Sequence, residues 1–394
     1  MKKFIEGSYA VAEAVKLCRP GVVSAYPITP QTHIVEGLAQ FVADGELKAE
    51  FVNVESEHSA ASAVLGAVAT GVRAFTSSSS QGLLLMTEVI FNIAGMRLPL
   101  VLACANRAVS APINIWNDQQ DVMTIRDSGW ILLFAENIQE VIDLHIQAYR
   151  ISEDHSIMLP VMVNLDGYIL THGLEVADMP SQEQVDKFLP PYKPLYKLDT
   201  SDPMTLGCLA MPEHYMEARV AIQKTQEAAL DFIPKVAGEF KKVFGRESGG
   251  LVEAYKIEDA KQVIVAMGSI VGTIKETVDE LRAQGKKVGV LKLITYRPFP
   301  KQAILNALKN VPEIAVVDKS ISLGSNSPLY TDLTSAFIGQ DKVSKISGFV
   351  LGLGGRDITK DSIKQVFDKL SGKQVDCEFI DVKKELLEEE YAGN

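Results

Sequence analysis

The sequence predicts an α/β protein with two domains, each built around a largely parallel sheet. Two observations support this prediction. Short apolar runs typical of buried strands alternate with longer stretches of helical periodicity, and this alternation occurs twice, before about residue 165 and after about residue 262. The length agrees, because 394 residues exceed what one ordinary hydrophobic core organises.

The first block predicts strands at residues 22–26, 51–54, 74–76, 98–103 and 158–163, with helices at 10–17, 34–42, 59–69 and 83–94. Strands that alternate with helices of this length form a parallel sheet covered on both faces. Right-handed crossovers then bring the carboxyl ends of the strands to one edge, where ligands bind in such sheets.

The pattern loosens between about residues 171 and 255, where prolines recur before a polar helix predicted at 213–243. A second alternating block predicts strands at 262–267, 287–291, 314–318 and 346–350 and a helix at 271–283. We therefore place the first domain at residues 1–245, including a C-terminal extension, and a smaller α/β domain at 255–394.

Composition excludes several classes of function. The formal net charge of -11 disfavours binding to nucleic acid. No apolar run approaches the ~20 residues of a membrane helix, and the N-terminus lacks a signal peptide, so a cytoplasmic protein is expected. The four cysteines are far apart and the six histidines are scattered, so we expect neither an iron–sulfur cluster nor a metal site in this chain.

The first candidate segment follows the first predicted strand and reads Tyr26-Pro27-Ile28-Thr29-Pro30. Its two prolines fix the backbone on either side of Ile28 and Thr29, so this turn can present a hydroxyl and backbone groups to a ligand. The structural alternative is a helix start with Thr29 as the N-cap and Pro30 at the first helical position. The two interpretations are compatible, because a capping threonine can also face a site.

The second candidate segment, Glu55-Ser56-Glu57-His58, follows the second predicted strand. Carboxylates are favoured in the first turn of a helix by its dipole, which is a structural explanation. A carboxylate held at the sheet edge for acid–base work is the functional one. A third segment, Ser77-Ser78-Ser79-Ser80-Gln81-Gly82, could form an anion-binding nest or simply cap a helix, and it lacks the P-loop pattern.

The fourth candidate segment is the long loop after the strand at 98–103, and it contains Arg107 and both tryptophans. Long structured loops at a sheet edge are usually functional. Arg107 could bind a carboxylate through two parallel hydrogen bonds. Its structural alternative is a salt bridge that braces the loop.

These segments, taken together, resemble the alpha subunits of pyruvate:ferredoxin oxidoreductases and their 2-oxoacid relatives. The likeness covers nearly the whole chain. It rests on motifs that match in order and spacing, namely Tyr26-Pro27-Ile28-Thr29-Pro30, Glu55-Ser56-Glu57-His58-Ser59-Ala60, Asn106-Arg107-Ala108, Ser110-Ala111-Pro112-Ile113-Asn114-Ile115-Trp116-Asn117-Asp118, Arg126-Asp127-Ser128-Gly129-Trp130, His214-Tyr215-Met216-Glu217-Ala218-Arg219, Tyr296-Arg297-Pro298-Phe299-Pro300 and Gly352-Leu353-Gly354-Gly355-Arg356-Asp357.

The resemblance implies a thiamine pyrimidine-binding domain followed by a transketolase C-terminal-like domain. It implies thiamine diphosphate shared with a beta subunit, with Mg²⁺ and [4Fe-4S] clusters held by partner subunits, and beta, gamma and delta subunits in one complex. The implied reaction is oxidative decarboxylation of pyruvate with coenzyme A, giving acetyl-CoA, CO2 and electrons for ferredoxin. A branched-chain 2-oxoacid, a non-redox thiamine-dependent decarboxylase half and a non-enzymatic scaffold subunit are the alternatives.

The resemblance also assigns roles to residues. Glu57 aligns with the catalytic glutamate beside the pyrimidine ring, with Glu55 as the fallback, while Pro27 and Ile28 are expected to contact the cofactor. Arg107 aligns with the arginine that binds the substrate carboxylate, and Thr29 with the threonine that hydrogen-bonds substrate. Relatives that use the dianion oxalate carry a second cation in place of this threonine, so the neutral Thr29 favours a monoanionic oxoacid.

Overall fold

A computed structural model of the chain describes residues 1–340 and 344–391. The chain divides into two compact units. The first unit comprises Met1–Glu253 together with two later segments, Met267–Ser269 and Leu293–Ala303. The second comprises Ala254–Ala266, Ile270–Lys292 and the chain from Ile304 onward.

The chain up to residue 244 alternates between strands and helices. Its elements are β1 (Lys2–Glu6), α1 (Gly7–Leu17), β2 (Val22–Ser24), α2 (Thr32–Ala43), β3 (Glu50–Val52), α3 (Glu57–Ala69), β4 (Ala74–Ser78), α4 (Ser80–Leu85), α5 (Thr87–Gly95), β5 (Val101–Asn106), α6 (Gln120–Thr124), β6 (Ile131–Phe134), α7 (Ile138–Ser152), β7 (Val161–Asp166), β8 (Leu174–Asp178), α8 (Gln182–Phe188) and α9 (Pro212–Phe244).

The remainder of the described chain continues the alternation. Its elements are β9 (Val252–Tyr255), β10 (Gln262–Ala266), α10 (Ile270–Ala283), β11 (Val288–Leu293), β12 (Thr295–Arg297), α11 (Lys301–Leu308), β13 (Glu313–Asp318), α12 (Pro328–Phe337), β14 (Lys345–Val350), α13 (Lys360–Leu370), β15 (Glu378–Phe379) and α14 (Lys384–Tyr391).

A seven-stranded sheet with the order β12-β6-β7-β5-β4-β2-β3 forms the centre of the first unit. Its strands pair in parallel except β12, which runs antiparallel to β6. The register places Asn106, the last residue of β5, opposite Asp166, the last residue of β7. The loops that leave these strands therefore start at the same edge, as the sequence predicts.

Apolar side chains of α1 and α7 pack on this sheet and form a continuous core. Val11, Val15, Ile142 and Ile146 are fully buried, as is Val163 of β7. Both faces of a parallel sheet must be covered in this way, which explains why its strands read as apolar runs.

A six-stranded sheet with the order β15-β14-β13-β10-β11-β9 organises the second unit. Strand β10 lies parallel to β11 and β13, and β14 lies parallel to β13. The predicted α/β class is therefore confirmed. The glycine cluster at 352–355 forms a tight turn, where Gly352, Gly354 and Gly355 adopt positive φ angles of 74°, 59° and 79°.

Local sequence signals set several element boundaries. The hydroxyl of Ser56 accepts a hydrogen bond from the backbone N of Ser59 and so caps α3. Helix α9 begins at Pro212 and ends before Gly245, whose φ of 74° is the left-handed conformation that glycine favours at a helix end. None of the helices in residues 1–340 and 344–391 is long and apolar enough to cross a membrane.

Candidate functional site

The loops at the carboxyl edge of the seven-stranded sheet are held together by buried contacts. Gln31, fully buried, donates through Nε2 to the carbonyl oxygens of Tyr26 and Ser77, each at 3.0 Å. A Cβ at Gly167 would lie 2.5 Å from the Asn106 carbonyl oxygen and 2.8 Å from Cγ of Pro30. Glycine after β7 therefore allows the loops after β2 and β5 to approach each other closely.

The segment with Pro27, Ile28 and Thr29 forms an irregular turn at this edge. Ile28 is half-buried, whereas Pro27 and Thr29 are exposed. The expectation that Thr29 caps a helix is wrong, because α2 begins only at Thr32, after Gln31. Thr29 instead offers its carbonyl oxygen to the Arg107 side chain and leaves its hydroxyl at the surface.

Glu57 occupies the first position of α3 and is only 7% exposed. Among the described residues its carboxylate has no hydrogen-bond or salt-bridge partner. A Cβ at Gly82 in α4 would lie 2.6 Å from Glu57 Oε1, so the carboxylate occupies the space that a side chain at position 82 would fill. A largely buried carboxylate that has no protein partner is available to bind a ligand.

Glu55, the fallback for the same role, has a different environment. It is exposed, and its Oε1 accepts a 2.5 Å hydrogen bond from the hydroxyl of Ser59. That hydrogen bond lowers the pKa of Glu55 from its ordinary value. Glu55 is thus a solvated carboxylate near the start of α3, whereas Glu57 faces the interior of the sheet edge.

The serine run extends from the end of β4 to the first residue of α4, and its side chains are fully buried. Ser79 precedes α4 as its N-cap residue but makes no side-chain capping bond. Several hydroxyls here have no hydrogen-bond partner among the described residues, namely those of Thr76, Ser77, Ser78 and Ser79. Buried hydroxyls normally find partners, so this row can accept a polar ligand.

Arg107 lies at the start of the loop after β5 and is 6% exposed. Its Nε donates to the Asn114 carbonyl oxygen at 2.9 Å, and its Nη1 donates to the Thr29 carbonyl oxygen at 2.8 Å. The guanidinium therefore braces two loops through backbone carbonyls rather than through a salt bridge. Nη2 makes no hydrogen bond within the described chain, so this nitrogen can donate to a carboxylate. Burial lowers the pKa of Arg107 from its ordinary value.

Two buried aspartates organise the same loop. Asp121 accepts hydrogen bonds from the backbone N of Ser80 and the backbone N of Arg107, each at 3.0 Å. Asp166 accepts from the side chains of Asn117 and Gln119, each at 3.2 Å. The positions of these residues in the sequence carry no signal of this role, because the contacts depend on the path of the loop.

The structure thus brings Thr29 into contact with Arg107 and places Glu57 against Gly82. Among the described residues, no hydrogen bond joins the Thr29–Arg107 pair to the Glu57–Gly82 pair. One set of carboxylates in the described chain comes close enough to share a cation, with ligand atoms of Glu136, Glu140 and Glu253 within 4.8 Å. Glu140 Oε2 already accepts from the backbone N of Glu136 next to the N-cap of α7, Asn137. This set lies outside the predicted site, and all four cysteines are free.

Comparisons with protein families cover most of the chain. Residues 13–237 match the family model described as pyruvate flavodoxin/ferredoxin oxidoreductase, thiamine diphosphate-binding. Residues 260–363 match the model described as pyruvate:ferredoxin oxidoreductase core domain II.

Curated relatives match over almost their full length. Pyruvate synthase subunit PorA of Methanosarcina barkeri is 50% identical over 390 residues, or 97% of each chain. The subunit of the same name from Thermotoga maritima is 46% identical over 373 residues, or 94% of this chain and 95% of the relative. Ketoisovalerate oxidoreductase subunit VorA of Pyrococcus horikoshii is 44% identical over 371 residues, or 94% of each.

Two solved structures share the fold. One is 2-oxoglutarate:ferredoxin oxidoreductase from Magnetococcus marinus with 2-oxoglutarate, coenzyme A and succinyl-CoA bound, with a TM-score of 0.73 and 19% identity, and the match covers 94% of this chain and 65% of that chain. The other is a split-gene transketolase, described as an inactive beta4 tetramer, with a TM-score of 0.54 and 11% identity over 93% of this chain and 98% of that chain. At these identities the likeness concerns the fold alone.

Proposed function

Because the chain belongs to the pyruvate flavodoxin/ferredoxin oxidoreductase family, we propose that it is the alpha subunit of a pyruvate:ferredoxin oxidoreductase. The observation that carries this proposal is the identity of about half of all residues, over nearly full length, with a pyruvate synthase subunit. The enzyme converts pyruvate and coenzyme A to acetyl-CoA and CO2, and the electrons pass to ferredoxin. It acts as a multisubunit complex.

The residues at the sheet edge fit the aminopyrimidine part of thiamine diphosphate. The fit rests on the Glu57 carboxylate, which has no partner among the described residues, on the absence of a Cβ at Gly82 beside it, and on the buried hydroxyls at the end of β4. When bound, thiamine diphosphate supplies the carbon nucleophile and the electron sink for decarboxylation. Glu57 would share a proton with the ring nitrogen N1′, and Pro27 and Ile28 would contact the ring.

Arg107 and Thr29 would bind the oxoacid. The other two guanidinium nitrogens of Arg107 already bind the carbonyl oxygens of Asn114 and Thr29, so the position of Nη2 is set before substrate arrives. The exposed Thr29 hydroxyl lies on the residue whose carbonyl oxygen Arg107 binds, so it can donate one neutral hydrogen bond to the same ligand. A single cation with a neutral hydroxyl suits a monoanion such as pyruvate.

The partner subunits complete the site in this proposal. A beta subunit would bind the diphosphate and Mg²⁺ and would carry [4Fe-4S] clusters, with further clusters in a delta subunit and a gamma subunit completing the complex. The four free cysteines of this chain are dispersed in sequence, as expected for a subunit without a cluster.

The test is viologen reduction by the purified native complex with coenzyme A and a panel of 2-oxoacids. Pyruvate should give the highest kcat/KM. A preference for 2-oxoisovalerate would assign the complex to the ketoisovalerate type instead. Decarboxylation without viologen reduction, in a complex that lacks the visible absorption of iron–sulfur clusters, would contradict the redox assignment.

A further inference from the structure

Asp121 in α6 is fully buried and accepts hydrogen bonds on both carboxylate oxygens. Oδ2 accepts from the backbone N of Ser80 and the backbone N of Arg107, each at 3.0 Å. Oδ1 accepts from Nδ2 of Asn106 at 3.0 Å and from the backbone N of Val122 at 2.8 Å. The thiol of Cys104 also donates to Oδ2, at 3.7 Å. All five donors are uncharged, and two of them, the backbone N–H groups of Ser80 and Arg107, belong to loops of the candidate site.

The hydrogen bonds to Oδ2 connect two segments of the candidate site, the one that follows β4 and the one that follows β5. Arg107 follows β5, and Ser80 begins α4 after β4. Ser80 has a φ of 49°, a left-handed conformation that a serine adopts at a cost, and its hydroxyl donates to the Ala108 carbonyl oxygen at 2.5 Å. One carboxylate therefore holds the backbone of Arg107 and the unfavourable turn at Ser80 at a fixed separation.

Stability alone is a poor explanation for a carboxylate in this position. Burial raises the pKa of Asp121 to about 6, against the lowering effect of its hydrogen bonds, so the charged form is disfavoured by its surroundings. Burying a carboxylate is costly unless hydrogen bonds compensate, and an apolar residue at this position would leave the backbone N–H groups of Ser80 and Arg107 without their partner. The carboxylate therefore fixes the geometry of these two backbone segments.

We propose that Asp121 is a positioning residue for oxoacid binding, which holds the backbone of Arg107 against the Ser80 turn so that the guanidinium meets the substrate carboxylate. This inference rests on the proposed function of Arg107. Asp121 would not touch substrate. It acts on the backbone, while the carbonyl oxygens of Thr29 and Asn114 act on the guanidinium.

Asp121→Asn is the informative substitution. Whichever way its amide turns, the amide nitrogen faces at least two N–H donors, because each carboxylate oxygen accepts from two N–H groups and Oδ2 also accepts from the Cys104 thiol. In the purified complex we expect the KM for pyruvate to rise at least about tenfold, a change equivalent to about 1.4 kcal/mol. The KM for coenzyme A should stay within about twofold of the wild-type value. A general loss of stability would not affect pyruvate selectively in this way.

A double-mutant cycle tests whether Asp121 acts through Arg107. If it does, Asp121→Asn should add less than about a twofold change in pyruvate KM to a complex that already carries Arg107→Lys. Multiplying effects would overturn the proposal, as would an unchanged pyruvate KM in Asp121→Asn alone.

Asp318 offers a matched control in the second unit. It is also fully buried, accepts from the backbone N of Leu329 and of Tyr330, and has a pKa that burial raises to about 6. Asp318→Asn should lower the melting temperature without changing the pyruvate KM. Failure of Asp121→Asn to assemble, while Asp318→Asn assembles, would replace the positioning role with a purely structural one.

The same experiment separates this inference from the proposed function. A wild-type complex that shows no pyruvate-dependent viologen reduction contradicts the function itself. Normal pyruvate kinetics in Arg107→Lys contradict the role of Arg107. A raised pyruvate KM in Arg107→Lys with normal kinetics in Asp121→Asn overturns only the role of Asp121.

Discussion

Replacing Glu57 with glutamine should slow the reaction by at least about a hundredfold while leaving assembly intact. Glutamine has the same shape, so it occupies the space against Gly82 without a clash, and only the ability to share a proton is lost. Positioned acid–base groups contribute roughly 10²–10⁴-fold, or about 2.7–5.5 kcal/mol. The low exposure of Glu57 and its lack of a competing partner favour a contribution of this size.

Two measurements on the purified complex check this expectation. The first is kcat for pyruvate-dependent viologen reduction, and the second is the rate of hydrogen–deuterium exchange at C2 of bound thiamine diphosphate. Glu55→Gln is the matched control and should behave like wild type, because Glu55 is exposed and bonded to Ser59. Normal exchange in Glu57→Gln would refute the reasoning, and slow exchange in Glu55→Gln alone would transfer the role to that residue.

Three further predictions follow from the structure. Arg107→Lys keeps the charge but loses the planar fork of donors, so kcat/KM for pyruvate should fall about 10- to 100-fold in steady-state assays. Thr29→Val should cost about 0.5–1.5 kcal/mol in the same assay, because it removes one neutral hydrogen bond. Unchanged pyruvate kinetics in Arg107→Lys, with a lower melting temperature, would leave Arg107 only its bracing role. The isolated chain with thiamine diphosphate, Mg²⁺ and pyruvate should neither reduce viologen nor contain stoichiometric iron, and substantial reduction would contradict a divided site. Burial lowers the pKa of His145 from 6.5 to about 4, so the stability that the neutral imidazole contributes above pH 6.5 is lost as the pH falls towards 4. At pH 5 this loss is about 2 kcal/mol, and His145→Gln should abolish it. Equal changes in melting temperature between pH 7 and pH 5 in the wild-type and His145→Gln complexes would exclude this effect.

The strands that read as apolar runs could be predicted from the sequence, and those defined by distant partners could not. The predicted runs at 74–76 and 314–318 correspond to β4 and β13, which are buried on both faces. Strand β1 was not predicted, because Lys2–Glu6 is short and charged and pairs with Leu174–Asp178 far along the chain. Strand β12 likewise joins the first sheet from residues 295–297, a pairing that no local pattern signals.

The candidate site divides in the same way. The segments that contain Glu57 and Arg107 could be selected because each follows a predicted strand, and parallel strands bring such positions to one edge. The choice of Glu57 over Glu55 came from the family resemblance. The partners of Arg107 could not, since the sequence suggested a salt bridge and the guanidinium instead binds backbone carbonyls. Asp121 carried no signal of its own. The role proposed for it depends on its backbone donors, Ser80 and Arg107, and the backbone N–H group is the same in every amino acid except proline.

Gly82 shows why the two halves of this site depend on each other. Its φ is not positive, so the need for glycine comes from space, since a Cβ would lie 2.6 Å from Glu57 Oε1 and 2.7 Å from Ser78 Oγ. Gly82 lies two residues after Ser80, whose backbone Asp121 holds. In the first turn of α4, Asp121 therefore binds the backbone of Ser80, and the Glu57 carboxylate packs against Gly82. A shift of this turn would disturb the surroundings of the Glu57 carboxylate and the hydrogen bonds that Asp121 shares with Ser80 and Arg107. If Glu57 and Arg107 have the roles proposed above, substitutions that disturb the turn should change both cofactor activation and oxoacid binding.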